Sequence, residues 1–144
     1  MNRDVKIAVA GTQDSGSGNE IVTDYMTDGQ YFERNGCRYL LYREQDADSG
    51  AVTANTLKIK GNVLELSRKG NINSHMIFET GQAHHTSYAT AYGTLELEVY
   101  TEDLKCLWAE SEALVQLTYR LLMTGELLSR NRLVIKIKNI SAKD

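Results

Sequence analysis

Two charged side chains stand in line with apolar ones. Leu40 and Tyr42 lead at alternate positions to Glu44, and Leu64 and Leu66 lead likewise to Arg68. Alternate side chains of a β-strand share a face, so both charges continue a face that should turn inward. A carboxylate and a guanidinium drawn into an interior must pair, because an isolated buried charge costs several kcal/mol. Two readings follow. Either Arg68 grips an anionic ligand head group while Glu44 steers it, or the two form a structural ion pair at one end of the interior. Structural pairs perturb charges as binding sites do, and the structural reading is preferred.

Tyr88, Thr90 and Tyr92 share a strand face, with Ala89, Ala91 and Gly93 on the other face, in register with Leu95 and Leu97. An unbroken register turns the small residues inward. A bulge at Gly93 flips the parity and brings the tyrosines in. The residues leave both open, and the tyrosines either line a cavity or merely cover the sheet.

His84 and His85 suggest a metal, but neighbours in a strand point to opposite faces and neighbours in a loop rarely chelate together. With His75 the only other histidine and no HExxH or Cys/His spacing, no metal is expected, and the histidines read as surface or loop residues. No serine lies in a GxSxG elbow and no local Cys/His arrangement is present, so the sequence points away from an enzyme. Gly11 to Gly18 do not follow a strand with a helix as phosphate-binding loops do. No cofactor is expected. Cys37 and Cys106 have no second pair to form a zinc or CxxC motif and read as buried free thiols, with a disulfide as the lesser alternative.

The elements that carry these residues are strands. Val5, Ile7 and Val9 alternate with Lys6, Ala8 and Ala10. A polar loop is expected at Asp14 to Gly18, a β-rich run at Glu20 to Thr27, and turns at Asp28-Gly29 and Asn35-Gly36. Gln30 to Arg34 and Cys37 to Glu44 fill a meander between and after those turns. Gln45 to Gly50 reads as loop, Val52 to Lys60 as strand, Gly61-Asn62 as turn and Val63 to Lys69 as strand. Gly70 to Asn73 turns the chain again; Ser74 to Glu79 is extended, and Gly81 to Thr86 forms a loop. Thr94 to Thr101 sets Leu95, Leu97 and Val99 against Glu96, Glu98 and Tyr100.

Leu104, Leu107, Trp108, Leu114, Leu117 and Leu121 also fit helical spacing, but Val115, Leu117, Tyr119, Leu121 and Met123 alternate strictly, which a helix would scatter. Ser111 to Thr124 is therefore a strand, with at most one helical turn near Asp103 to Leu107. Arg132 to Ile140 ends the chain, with Leu133, Ile135 and Ile137 on one face.

About eight to ten short strands are too many for one open twisted sheet, and closure removes the exposed edges. The absence of proline leaves every strand its full set of donors. The expected fold is all-β: a single closed or nearly closed antiparallel barrel of about eight to ten strands over residues 1–144, with a two-sheet sandwich as the alternative. At 144 residues, 42% hydrophobic and 24% charged, the chain fits one globular domain. Its net charge of −3 argues against a nucleic-acid surface, and no apolar run spans a bilayer. Met1 to Asp4 lack the features of a secretory signal, so cytoplasm is the expected compartment.

Several spaced pieces point to a family: Gly29-Gln30-Tyr31, Tyr39 to Glu44, Thr56 to Ile59, Leu66 to Gly70, Met76-Ile77-Phe78, Tyr88 to Gly93, and Tyr119. Their order and spacing make the chain similar to the DUF1934 family. That resemblance implies a bacterial, cytoplasmic, calycin-like barrel, similar in outline to lipocalins and fatty-acid-binding proteins, without an agreed activity. The chain departs from lipocalins proper in lacking a Gly-x-Trp near its start, its single tryptophan being Trp108, so extracellular transport is not carried over.

The leading functional expectation is a binding barrel whose interior takes a small, partly apolar or anionic ligand. Tyr42, Glu44, Arg68, Tyr88, Thr90, Tyr92 and Tyr119 are the candidate contacts. The alternative is an interaction protein or homodimer with the interior as core only, and a hydrolase-like enzyme ranks last. No nucleic-acid or membrane partner is expected.

Overall fold

The computed structural model describes residues 2–16 and 18–140. The alternating runs become ten strands: β1 (Arg3–Asp14), β2 (Glu20–Arg34), β3 (Cys37–Gln45), β4 (Val52–Lys60), β5 (Val63–Gly70), β6 (Ser74–Phe78), β7 (Ala83–Thr90), β8 (Gly93–Trp108), β9 (Glu112–Met123) and β10 (Glu126–Lys138). No helix occurs among the described residues. Every pairing is antiparallel, in the order β6-β5-β4-β3-β2-β1-β10-β9-β8-β7. First and last strands meet in the middle of this order, with Ile7 opposite Ile137 and Val9 opposite Ile135.

The sheet curls into a nearly closed barrel whose seam lies between β6 and β7. Asn73 and Ala89 exchange two backbone hydrogen bonds there, at 2.9 and 2.8 Å, and Thr86 Oγ1 donates to the His75 carbonyl at 2.8 Å. Inward positions carry the core, among them Ile7, Leu40, Leu57, Leu64, Phe78, Val99, Val115 and Ile137, all nearly inaccessible to solvent. One end is plugged by the Arg38 guanidinium, 4.0 Å from the centroid of Trp108. Arg38 Nη1 also donates to the Tyr31 hydroxyl at 2.9 Å. Both cysteines are free, Cys37 buried and Cys106 half-buried.

Several local expectations are corrected. Asp28-Gly29 is not a turn; β2 runs straight through it, with Gly29 between Val5 and Tyr42. Glycine is needed there for close approach, since a Cβ would sit 2.4 Å from Ile7 Cδ1 and 2.5 Å from the Leu41 carbonyl. The loop expected over Gly81 to Thr86 ends at Gln82. Gly81 N donates to the Thr101 carbonyl at 2.8 Å and Thr101 N to the Gln82 carbonyl at 3.1 Å, docking the chain on β8 as β7 begins. Of the histidines expected at the surface or in loops, His75 and His85 are exposed as expected, although all three lie in strands, His75 in β6 and His84 and His85 in β7.

The helical turn near Asp103 to Leu107 is also strand. A bulge lies between Thr101 and Asp103, and one extra residue reverses parity. Leu97, Val99 and Thr101 therefore face inward before it and Leu104, Cys106 and Trp108 after it, a three-residue step that imitates helical spacing. The last strand starts at Glu126 rather than Arg132, after a turn in which Thr124 and Gly125 have φ of 49° and 81°. Positive φ at both central positions is the geometry of a tight hairpin. Within the expected loop at Asp14 to Gly18, Gly16 N donates to Asp14 Oδ1 at 2.8 Å, while Ser17 lies outside the described residues.

Candidate polar site at the open end

Along many strands the inward positions change from apolar to polar toward the same end of the barrel. On β4, Ile59 and Leu57 give way to Asn55 and Thr53; on β5, Leu64 and Leu66 to Arg68; on β9, Val115 and Leu117 to Tyr119; on β10, Ile135 and Leu133 to Asn131 and Ser129. Register then aligns them. Tyr42 pairs with Asn55, Asn55 with Arg68 and Arg68 with Ser74, a transverse row across β3 to β6. On the facing wall Thr101 pairs with Tyr119 and Tyr119 with Asn131.

Glu44, one inward step above Tyr42, reaches across to this row. Its Oε1 accepts from Arg68 Nη2 in a short ion-pair hydrogen bond and from Asn55 Nδ2 at 3.1 Å. Arg68 Nε in turn donates to Asn55 Oδ1 at 3.1 Å. The three side chains thus form a closed cycle of charge-assisted bonds. Asn55 is 2% exposed, so the cycle is anchored in the wall rather than on the surface.

The electrostatics favour neutral tyrosines around a paired charge. Burial works against the Arg68 cation, but Glu44 beside it, with Tyr88 and Tyr42, holds the guanidinium above its ordinary range. Burial pushes the Tyr119 hydroxyl up to about 12. Burial and the Glu44 carboxylate together push Tyr25 up to about 12. Tyr42 rises further still, by burial and then by Tyr25 and Glu44. At neutral pH these hydroxyls are hydrogen-bond donors and acceptors, not bases.

Between the walls lies a cavity of about 180 Å³, bordered by Tyr25, Tyr42, Glu44, Asn55, Arg68 and Tyr119. It holds the liquid share of about six water molecules at ~30 Å³ each. Ser74 Oγ, beside Arg68 in the row, is buried without a partner among the described residues. A larger hollow of about 480 Å³ near Leu107, Trp108 and Leu114 is lined in its polar part by exposed side chains such as Glu112, Lys136 and Lys138, and has no comparable cycle.

Of the seven expected contacts, Tyr42, Glu44, Arg68 and Tyr119 line this cavity. Tyr88 is half-buried on the same inner face and lies within electrostatic reach of Arg68 and Tyr119. Thr90 is spent on the chain reversal, its Oγ1 accepting from Tyr92 N at 3.1 Å. Tyr92 does not belong to the interior: it is 101% exposed at the tip of the β7–β8 hairpin. Thr90 pairs with Gly93 across a two-residue turn, so the run read as one continuous strand is two strands and neither proposed parity applies across it.

Tyr25, Asn55, Ser74 and Asn131 were missed. Asn55 and Asn131 carried the same signal as Arg68, a polar residue on an apolar parity. Asn131 fell outside a strand thought to start at Arg132, and the supposed turn at Asp28-Gly29 cut Tyr25 off from the inward series ending at Tyr31.

The histidines take no part in the cavity. His75 Nε2 meets Glu65 Oε1 at 3.0 Å and His85 Nε2 meets Glu96 Oε1 at 3.0 Å, both as exposed pairs. No serine, threonine or cysteine side chain is hydrogen-bonded to a histidine ring among the described residues.

The barrel and its spaced motifs agree with a sequence family. The family described as domain of unknown function (DUF1934) matches residues 7–135. The chain belongs to the DUF1934 family. It is similar to the uncharacterized beta-barrel protein YwiB of Bacillus subtilis (strain 168), with 28% identity over 102 residues, 71% of this chain and 70% of YwiB. The crystal structure of YwiB from Bacillus subtilis superposes with a TM-score of 0.83 at 20% identity, covering 96% of this chain and 92% of that one. This likeness establishes the fold of the DUF1934 chain, a ten-stranded barrel, and leaves its chemistry to be argued from its own residues.

Proposed function

We propose that this DUF1934 barrel is a binding module that holds a small, partly apolar molecule in the cavity at its open end. The observation that carries the reading is the row Tyr42, Asn55 and Arg68, closed by Glu44 and faced by Tyr25 and Tyr119 across about 180 Å³. Small-ligand sites combine apolar surface with fixed polar groups; here Val9, Leu66 and Leu133 supply apolar side chains beside a largely polar lining, and the tyrosine rings supply apolar area with a hydroxyl at the edge. The cavity is below the ~300 Å³ of ordinary ligand pockets, which favours a small molecule or one end of a longer one.

The pairing bears on ligand charge. Glu44 already neutralises Arg68, so the positive charge left at the cavity is that of Arg132 on its rim. A hydrogen-bonding group held by the paired row, beside an apolar one, fits this arrangement. The test is native mass spectrometry of the protein purified from its own host. A single small-molecule adduct is expected, lost in the double variant Glu44→Gln/Arg68→Met, which removes the polar cycle without leaving either member of the pair as a lone charge. A bare wild-type mass, or an adduct that survives the double variant, would overturn the reading.

A further inference from the structure

β2 pairs with β1 from Glu20 to Tyr31, but its ladder with β3 covers only Gly29 to Arg34. Along residues 20–28 the edge of β2 that faces β3 has no strand beside it, and Arg43 to Gln45 of β3 face the same split. A gap of about 610 Å³ opens there, with Thr23, Tyr25 and Thr27 on one wall and Arg43 to Gln45 and Val52 on the other. Unpaired backbone along an edge is a template for another strand. This one is flanked by unusually exposed apolar side chains: Met26 at 79%, Val22 at 66%, Ile21 at 60% and Val52 at 45%.

Charge and register select the occupant. The outer positions of the open edge alternate acidic and apolar: Glu20, Val22, Asp24, Met26, Asp28. Suppose a second copy paired with this edge antiparallel about a two-fold axis. Setting Val22 opposite Val22 puts Glu20 against Asp24; setting Val22 opposite Met26 puts Glu20 against Asp28 and Asp24 against its own copy; setting Met26 opposite Met26 puts Asp24 against Asp28. Every register that matches the apolar residues stacks like charges directly opposite, which is destabilising. The edge is thereby guarded against its own copy. Asp46 and Asp48 flank Ala47 on the far rim, and against these acids the gap itself has one basic side chain, Arg43.

We propose that the open edge of β2 takes up an extended segment of a partner protein, alternating basic and apolar residues, as an added strand. Backbone hydrogen bonds provide the attachment, as in other strand additions. Lysine or arginine opposite Asp24 and Glu20 provides the selection. Asp28 is already held by Lys6 at 2.5 Å and contributes less. The inference rests on the strand edge and not on the Arg68 cavity, so either can fail alone.

The test uses the full chain and three synthetic heptapeptides: alternating lysine and valine, alternating glutamate and valine, and the lysine peptide with a central proline. Amide hydrogen exchange at residues 20–28 is the readout. The lysine peptide is expected to slow alternate amides by about tenfold or more, the other two to leave them unchanged, and Asp24→Lys to transfer the preference to the glutamate peptide. No slowing by the lysine peptide overturns the proposal. Equal slowing by the proline peptide overturns it too, by showing charge attraction without strand pairing. So does protection of residues 20–28 that depends on protein concentration alone, which would make a second copy the occupant.

Discussion

Asn55 joins Arg68 to Glu44, accepting from Arg68 Nε through Oδ1 and donating to Glu44 Oε1 through Nδ2, both at 3.1 Å. The amide is the one group in the cycle able to serve both charges, and it is almost fully buried. Asn55→Leu keeps the volume and strips both bonds, leaving each charge short of one partner. Urea denaturation is expected to show a loss of about 1–3 kcal/mol with an unchanged m-value. A variant as stable as the wild type would show the cycle to be energetically idle.

The ion pair predicts a coupling rather than a simple loss. Arg68→Met leaves Glu44 with its Asn55 bond but without its cation, a change that costs about 3–5 kcal/mol for fully buried pairs and less here because both side chains keep some solvent contact. Glu44→Gln/Arg68→Met removes the orphaned charge and is expected to recover much of that stability. A double-mutant cycle in urea checks this; purely additive effects would mean the two groups stabilise the barrel independently.

How much of this was legible in the sequence depended on parity. Where alternation ran unbroken, as from Leu64 to Arg68 or Val115 to Leu121, the residues alone gave the strand, its inward face and the depth of each polar group. Where an extra residue or a turn reset the parity, reading stopped. Glu102 bulges out of β8, which made Leu104 to Trp108 resemble a helix, and the hairpin at Ala91-Tyr92 put Tyr92 in solvent instead of beside Tyr88. Gly29 misled for another reason: a glycine after aspartate has the local chemistry of a turn, and only contact with β1 and β3, distant in sequence, explains it. The opposition of Tyr119 to the Asn55–Arg68 row depended on closure, which no local pattern encodes.

Gly29 can be tested directly. A Cβ at that position meets the Leu41 carbonyl and Ile7 Cδ1 well inside contact distance, and the backbone atom cannot swing away. Gly29→Ala is expected to destabilise by about 1–3 kcal/mol, the ordinary penalty of overpacking. Gly11→Ala is the control: its nearest neighbours would lie at 3.4 and 3.6 Å, so its thermal midpoint should stay close to wild type. Equal midpoints for the two variants would mean that β2 moves freely against its neighbours at Gly29.

The plug at the closed end offers a single-probe measurement, since Trp108 is the only tryptophan. Arg38 lies over its ring and also donates to the Tyr31 hydroxyl. Arg38→Leu keeps apolar cover but removes the cation and the donor, so a loss of about 1–2 kcal/mol is expected, with altered Trp108 emission in the folded state. Unchanged emission would mean that the guanidinium does not rest on the ring in solution.

Alkaline pH tests the tyrosine cluster. Tyr25 and Tyr119 are pushed up to about 12, with burial as the main cause in both, whereas an unfolded chain ionises its tyrosines near 10. Between those values the unfolded state releases protons that the folded state keeps. Stability is therefore complete below about pH 10 and declines as pH rises toward 12, by up to about 1.4 kcal/mol per unit for each tyrosine so held. Titration by phenolate absorbance should show part of the eight tyrosines ionising normally and the rest only with unfolding. Tyr25→Phe/Tyr119→Phe should flatten the decline between pH 10 and 12. If the double variant loses stability with the same slope as the wild type, those hydroxyls are not the groups kept from water at the open end.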